Sequence, residues 1–209
     1  MRVVVADTSP LNYLVLIGQI ESLPALFEKV FAPQIVQNEL RHDDAPLSVR
    51  RWIAEPPSWL EIAPDQNNGA SDLWRLDDGE RAAILLAIRM GADLLLMDDR
   101  DGVVLARRRG FAVTGTLGIL DLAAGRGLIR LGDAIARLKN TSFRCHPTSW
   151  LRCWPDTPRS DSRFPLRIPR HITRPPRDLS RSEPADALPQ SGGRPRRRSF
   201  CRLRWRGLG

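Results

Sequence analysis

The chain has little cysteine and no long apolar run. Three of its 209 residues are cysteines, and all three lie in the last third without the spacing of a metal site or a disulfide framework. No stretch approaches the roughly 18 apolar residues that a membrane-spanning helix needs. The opening apolar run in MRVVVADTSP is too short for a secretory signal. The sequence therefore predicts a cytoplasmic protein without membrane attachment.

Several chemical motifs are also absent. The two common glycine-rich phosphate loops do not occur, and neither does the nucleophile elbow of serine hydrolases. The three histidines are isolated from one another and from the cysteines, so the chain has no zinc-ligand set. These absences argue against nucleotide-loop enzymes, serine hydrolases and zinc enzymes.

The net charge of +8 is unevenly distributed. Residues 151–209 hold fifteen arginines, five acids and nine of the 17 prolines, whereas residues 1–150 carry a net charge of −2. A segment so rich in Arg and Pro, without apolar periodicity, buries too little surface to offset its ordering entropy. We predict a folded domain over 1–142 and a disordered tail over 143–209. Out-of-frame translation is one hypothesis for the origin of the tail.

Apolar runs and helical patterns alternate through the first 140 residues. Short continuous apolar runs at 2–6 and 93–97 are typical of strands buried on both faces. Ser9 is expected to cap the first helix. Asp77 and Glu80 have capping-box spacing before the clearest helical pattern, which Gly91 closes. This alternation predicts an α/β fold with a parallel sheet and right-handed crossovers.

Acidic residues follow two of the predicted strands. Asp7 ends the first strand, and Asp98 and Asp99 end the strand at 93–97, with Asp101 close behind. Ligands of parallel α/β sheets bind at the carboxyl ends of the strands, although Asp also favours helix caps at such turns. Two strands that end this way favour a site over simple capping.

Two predicted helices carry acids on their apolar faces. Glu39 shares a face with Ile35 and Val36, where a carboxylate is costly to bury unless it is paired or bound to metal. The alternative is an ion pair of Glu39 with Arg41 or Arg50. Glu80 lies on the apolar face of the next long helix, where a capping role and a functional role are compatible.

These acids are expected to converge on one pocket. Clustered carboxylates repel one another unless a cation neutralises them, and hard oxygen ligands suit Mg²⁺ or Mn²⁺. Ions held in this way favour phosphate-ester chemistry. Two hydroxyl residues are secondary candidates: Ser9 either orients water or phosphate or caps its helix, and Thr116 either faces the pocket or caps the next helix. For Thr116 we favour the cap.

Four segments resemble PIN-domain ribonucleases, and more narrowly a branch related to VapC-type toxins. They are VVVADTSPLNYL, APQIVQNEL, LDDGERAAILLAIRMGADLLLMDDRDG and RRRGFAVTGTLGIL, and together they cover about residues 1–140 in order. The resemblance implies a three-layer α/β/α sandwich that binds Mg²⁺ or Mn²⁺ and cleaves RNA. The positions that match the family's acids are Asp7, Glu39, Glu80 and Asp98, with Asp99 at a position where relatives also carry an acid and Asp101 as a weaker candidate.

The resemblance also carries expectations about partners. It implies an RNA substrate, an antitoxin protein that blocks the acidic pocket and a homodimer. Sequence alone leaves open whether Asp98 or Asp99 is the direct ligand. It also leaves open the alternative of a non-catalytic interaction module that binds a protein or RNA.

Overall fold

Five short strands and eight helices alternate along residues 2–65 and 73–144, the part of the chain that the computed structural model describes. The strands are β1 (Val4–Ala6), β2 (Val30–Pro33), β3 (Leu60–Ala63), β4 (Leu94–Leu96) and β5 (Val113–Thr114). The helices are α1 (Thr8–Leu16), α2 (Ser22–Phe27), α3 (Gln34–Arg41), α4 (Leu47–Ala54), α5 (Asp78–Met90), α6 (Arg100–Arg108), α7 (Thr116–Gly125) and α8 (Leu131–Lys139).

The strands form one sheet in the order β3-β2-β1-β4-β5, and all neighbouring strands in it are parallel. Ala6 of β1 lies opposite Leu96 of β4, which in turn lies opposite Thr114 of β5. Strands β2 and β3 are added on one side of β1, and β4 and β5 are then added on its other side. The strand order therefore reverses between β1 and β4, where open parallel sheets form their ligand crevice.

Both faces of the sheet are covered by helices because successive strand residues point to opposite sides. Val4 and Ala6 belong to one buried apolar cluster, and Val5 between them belongs to the other. The first cluster includes side chains from α1, α2, α3, α4, α7 and α8, whereas the second is built with α5 and α6. This arrangement confirms the predicted α/β/α sandwich with a central parallel sheet.

The first helix begins earlier than predicted. Asp7, not Ser9, is the N-cap residue, and the helix starts at Thr8. The backbone of Asp7 is still extended and its N–H donates to the carbonyl oxygen of Leu96 at 2.9 Å, so strand pairing continues up to the helix. Pro10 consequently occupies the third helical position. The expected start of α5 is confirmed, since the Asp77 side chain accepts a hydrogen bond from the N–H of Glu80 at 2.8 Å.

The described chain continues a few residues past α8. The ring of Phe143 packs edge-on against Tyr13, with ring centroids 4.9 Å apart, and joins the first apolar cluster. The core therefore includes one residue beyond the boundary predicted at 142. The predicted disorder of the tail concerns mainly residues 145–209, which lie outside the described residues. Within the described residues, no helix has the length and apolar character needed to cross a membrane.

Candidate active site

Asp7 and Asp98 lie at the point where the strand order reverses. Asp7 directly follows β1 and is 3 % exposed, and Asp98 follows β4 two residues beyond the partner of Ala6. Asp98 is held by Thr116, whose N–H donates to Oδ1 at 2.8 Å and whose hydroxyl donates to Oδ2 at 2.6 Å. Gly115 is the N-cap residue of α7, so the capping role favoured for Thr116 is wrong. Thr116 instead orients a carboxylate of the predicted site.

The neighbouring aspartates have different surroundings. Asp99 is exposed and caps α6, where its Oδ1 accepts hydrogen bonds from the N–H of Asp101 at 2.7 Å and of Gly102 at 3.2 Å. Asp101 is exposed in the first turn of the same helix. Asp98, in contrast, is partly buried and bonded across the sheet edge to α7. Asp98 is therefore the better placed of the two to face the crevice.

Glu39 brings α3 to the same edge of the sheet. Its carboxylate accepts a hydrogen bond from the hydroxyl of Thr8, the residue after Asp7. The backbone N–H of Gly79 also bonds Glu39. Ser9, the predicted hydroxyl candidate, is partly buried beside Thr8 on α1. The hydroxyl that contacts a predicted site acid after the first strand is thus that of Thr8.

The ion pairs considered for Glu39 do not form. Arg41 donates instead to the backbone carbonyl oxygens of Ile53 and Ala54, and Arg50 pairs with Asp43 at 3.0 Å. Glu39 therefore stays in the acidic region without a basic partner from either arginine.

Glu80 sits in the first turn of α5 and takes part in a reciprocal cap. Its N–H donates to Asp77, and the N–H of Asp77 bonds the Glu80 carboxylate. Glu80 is only 7 % exposed. Burial is the main reason that its pKa rises from 4.5 to about 9, and the charges of Asp77, Asp99 and Asp7 raise this pKa further. Capping and membership of the acidic pocket therefore coexist in one residue.

Two glycines make room for the carboxylates. A Cβ atom on Gly79 would lie 2.6 Å from Oε2 of Glu39, and one on Gly115 would overlap Oδ1 of Asp98. Side chains larger than hydrogen at these positions would displace an acid of the pocket. Sequence reasoning missed this role, and the available signal was a glycine directly before Glu80 and another directly before Thr116.

Asp77 adds a further charge to the pocket. Burial raises the pKa of Asp7 well above its ordinary value and also raises the pKa of Glu39. For both groups, the largest repulsion from another carboxylate comes from Asp77. Sequence reasoning treated Asp77 only as a helix cap. Its position just before Glu80 was the signal that it would also face the other acids.

Asp98 and Asp7 are electrostatically coupled, since the charge of Asp98 is a further contribution that raises the pKa of Asp7. Burial raises the pKa of Asp98 itself to about 6, and its two hydrogen bonds from Thr116 oppose that rise. The predicted acids that follow β1 and β4 and those on α3 and α5 are thus neighbours in one cluster of carboxylates, which we call the acidic pocket.

The donor set fits a hard divalent cation. Every candidate ligand is a carboxylate, and mutual repulsion among buried carboxylates is the condition that a bound cation relieves. Within the described residues, no group of three Asp, Glu, His or Cys side chains is arranged so that it could hold a metal ion without rearrangement. Two of the carboxylates are instead engaged by threonine hydroxyls, those of Thr8 and Thr116.

Comparison with known proteins agrees with this architecture. Residues 3–153 match the family model DUF3368, which describes a PIN domain. No curated protein matches the chain. PIN domains are generally nucleases that use divalent metals, and the parallel sheet with acids at its switch point is consistent with that class. The chain therefore belongs to the PIN-domain family.

Proposed function

We propose that the protein is a metal-dependent endoribonuclease that hydrolyses RNA phosphodiester bonds. The observation that supports this most directly is the acidic pocket at the reversal of strand order. Four separate elements each contribute one carboxylate to it, namely Asp7, Glu39, Glu80 and Asp98. Family membership supports nuclease chemistry, and the all-carboxylate donor set supports Mg²⁺ or Mn²⁺ as the cofactor.

The four carboxylates would hold the cation, with Asp99 as a more exposed candidate at the edge. A divalent ion held there would supply Lewis-acid chemistry: it would polarise the phosphoryl oxygen and lower the pKa of the attacking water. Thr8 and Thr116 fix the orientation of Glu39 and Asp98 through their hydroxyl groups. Outer partners of this kind commonly change metal affinity or activity by about 10–100-fold when they are removed.

Further parts of the proposal concern biological context. Resemblance to VapC-type toxins supports a role as the toxin of a toxin–antitoxin pair in the cytoplasm. The corresponding partners are an RNA substrate, an antitoxin protein that blocks the acidic pocket and a second copy of the chain. Each of these partners can be tested once cleavage has been measured.

The direct test is RNA cleavage by the full-length chain with Mg²⁺, Mn²⁺ or EDTA, alongside Asp7→Asn. We expect metal-dependent cleavage that the variant loses, since Asp7 is buried where β1 and β4 meet. The fold should survive, because Asn keeps the shape of Asp and removes a charge that burial disfavours. Asp133→Asn on α8 is the matched control and should cleave like the wild type. Equal cleavage by Asp7→Asn and the wild type would refute the proposal.

A non-catalytic interaction module is the second candidate. One observation favours it: the described side chains do not already form a three-residue metal-ligand group. In that case the pocket would recognise a protein or RNA without cleaving it. Calorimetry separates the two functions, since a module of this kind would show no Mg²⁺ or Mn²⁺ binding in the pocket.

A further inference from the structure

An exposed tryptophan lies just before the acidic helix. Trp74 is 69 % exposed and is the most exposed of the large hydrophobic residues in the described chain. The guanidinium group of Arg75 lies over its ring, 5.0 Å from the ring centroid. An apolar ring of this size in solvent, with a cation stacked on it, has a surface suited to an aromatic ligand.

Buried neighbours fix the position of this pair. Leu73 is fully buried and Leu76 is 5 % exposed, and both belong to the apolar cluster that packs α5 against the sheet. Trp74 therefore points outward from a segment that is anchored on both sides. The core does not require its ring.

The pair is also close to the acidic pocket. Trp74 precedes Asp77 by three residues, and three Cα–Cα steps of 3.8 Å limit their Cα separation to about 11 Å. Asp77 in turn caps the helix that carries Glu80. A strand with its phosphate in the pocket can therefore place a neighbouring base at Trp74.

Charge considerations favour a nucleic-acid base as the ligand. Residues 1–150 have a net charge of −2, so the domain has no excess of cations to attract phosphates. Stacking of an unpaired base on an aromatic ring or an Arg plane provides affinity that does not depend on net charge. Arg75 adds a local positive charge on the Trp74 ring.

We propose that Trp74 and Arg75 form a stacking platform for one unpaired base of a single-stranded RNA whose backbone enters the acidic pocket. This inference rests on the proposed nuclease function and defines its substrate as single-stranded at that position. Trp74 is then a positioning residue that sets where the strand lies relative to the carboxylates.

The test compares Trp74→Ala, Trp74→Phe and the wild-type full-length chain. Binding of a fluorescent, cleavage-resistant single-stranded RNA and of an RNA duplex of equal length is measured by anisotropy with Mg²⁺ present, so that the pocket can accept a phosphate. Loss of one stacked base should weaken single-strand binding roughly 5- to 100-fold in Trp74→Ala. Trp74→Phe keeps an aromatic face and should stay near the wild type, and duplex binding should not change, because paired bases are already stacked.

A matched control separates stacking from loss of exposed apolar surface. Leu128 is 45 % exposed and follows α7, at the end of that helix opposite Thr116. Leu128→Ala should bind both RNAs like the wild type. Measurements at two salt concentrations identify any contribution of the arginine-rich tail, which falls with salt while the Trp74 effect persists.

Two results would overturn the platform alone: wild-type affinity in Trp74→Ala, or equal weakening for single strand and duplex, with cleavage intact in either case. A wild-type chain that neither binds nor cleaves RNA would instead overturn the nuclease proposal, and the platform with it.

Discussion

The carboxylates on the two sides of the acidic pocket differ in their hydrogen bonds, in their neighbouring charges and therefore in their pKa values. On the β4 side, Asp98 accepts two hydrogen bonds from Thr116, and its pKa rises only to about 6. On the α5 side, Glu80 accepts one backbone hydrogen bond from Asp77 and faces several negative charges, and its pKa rises to about 9. Both groups are penalised by burial, and they differ because repulsion from neighbouring carboxylates raises the pKa of Glu80 further, whereas the hydrogen bonds from Thr116 favour the charged form of Asp98.

This difference indicates that a bound cation would relieve the most electrostatic repulsion at Glu80. Near pH 7, Asp98 is mainly ionised, whereas Glu80 keeps its proton. A metal that binds both sides must displace the proton of Glu80, so metal binding and proton release are coupled. Under the proposed function, the β4 side is the prepared half of the site, and the α5 side is the half that a bound metal would complete.

The largest expected effect comes from exchanging the two neighbouring aspartates of the β4 side for Asn, one at a time. Asp98→Asn removes a carboxylate from the pocket. It should lower cleavage at least about 100-fold, because loss of a residue that only supports a metal ligand already costs up to about 100-fold in activity. Asp99→Asn leaves a good helix cap, since Asn and Asp are similar at this position, and should stay near the wild type in thermal stability. Its cleavage should also remain close to that of the wild type. The reverse order of activities would make Asp99 the direct ligand.

A methyl group on either side of the pocket should have unequal consequences. Gly115→Ala overlaps Asp98, whose short side chain is held by two bonds, and it also approaches the carbonyl oxygen of Met97 at 3.2 Å. We expect a loss of about 1–3 kcal/mol in the free energy of unfolding, together with reduced cleavage. For Gly79→Ala, the nearest atoms to the added methyl group are at the end of the longer Glu39 side chain, which can withdraw. It should therefore weaken metal binding with little loss of stability.

The control for both glycines is Gly132→Ala on α8, where an added Cβ meets nothing within 4 Å. This change should leave activity intact and slightly stabilise the helix, by about 0.5–1 kcal/mol. Denaturant titration and cleavage assays on the three variants provide the comparison. Equal stability losses at positions 79 and 115 would contradict the difference between the two sides.

A further effect concerns how stability depends on pH in the presence of chelator. Between its ordinary pKa of 4.5 and about 9, Glu80 is protonated in the folded protein and ionised in the unfolded chain. The folded state then binds more protons, so stability falls as the pH rises through this range. Each pKa unit corresponds to about 1.4 kcal/mol. Glu80→Gln should flatten the decline in melting temperature from pH 5 to pH 9, and an unchanged slope would contradict this assignment.

The sequence predicted the sheet and its acids because both follow from local patterns. Continuous apolar runs indicated strands buried on two faces, and Asp7 and Asp98 were found from their position at the strand ends. Glu39 was identified as a candidate because a carboxylate on an apolar helix face is costly to bury unless it is paired or bound to metal. These features depend only on spacing along the chain.

Features that depend on contacts between distant segments were not predictable in this way. The hydrogen bond of Thr8 to Glu39 joins residues 31 positions apart, and the bond of Thr116 to Asp98 joins residues 18 apart. The space that Gly79 leaves for Glu39 likewise depends on how α3 and α5 pack. The choice between Asp98 and Asp99 also needed their contacts, since Asp98 is bonded by Thr116 of α7 whereas Asp99 caps α6.

The central claim, that this acidic pocket binds a divalent cation, is tested most directly by calorimetric titration of Mn²⁺ into the full-length protein. The titration is repeated at pH 7 in two buffers with different ionisation enthalpies, so that released protons are counted. We predict binding with net proton release in the wild type, less release in Glu80→Gln, and loss of binding in Asp7→Asn. Absence of Mn²⁺ binding, or binding that Asp7→Asn leaves unchanged, would contradict the account.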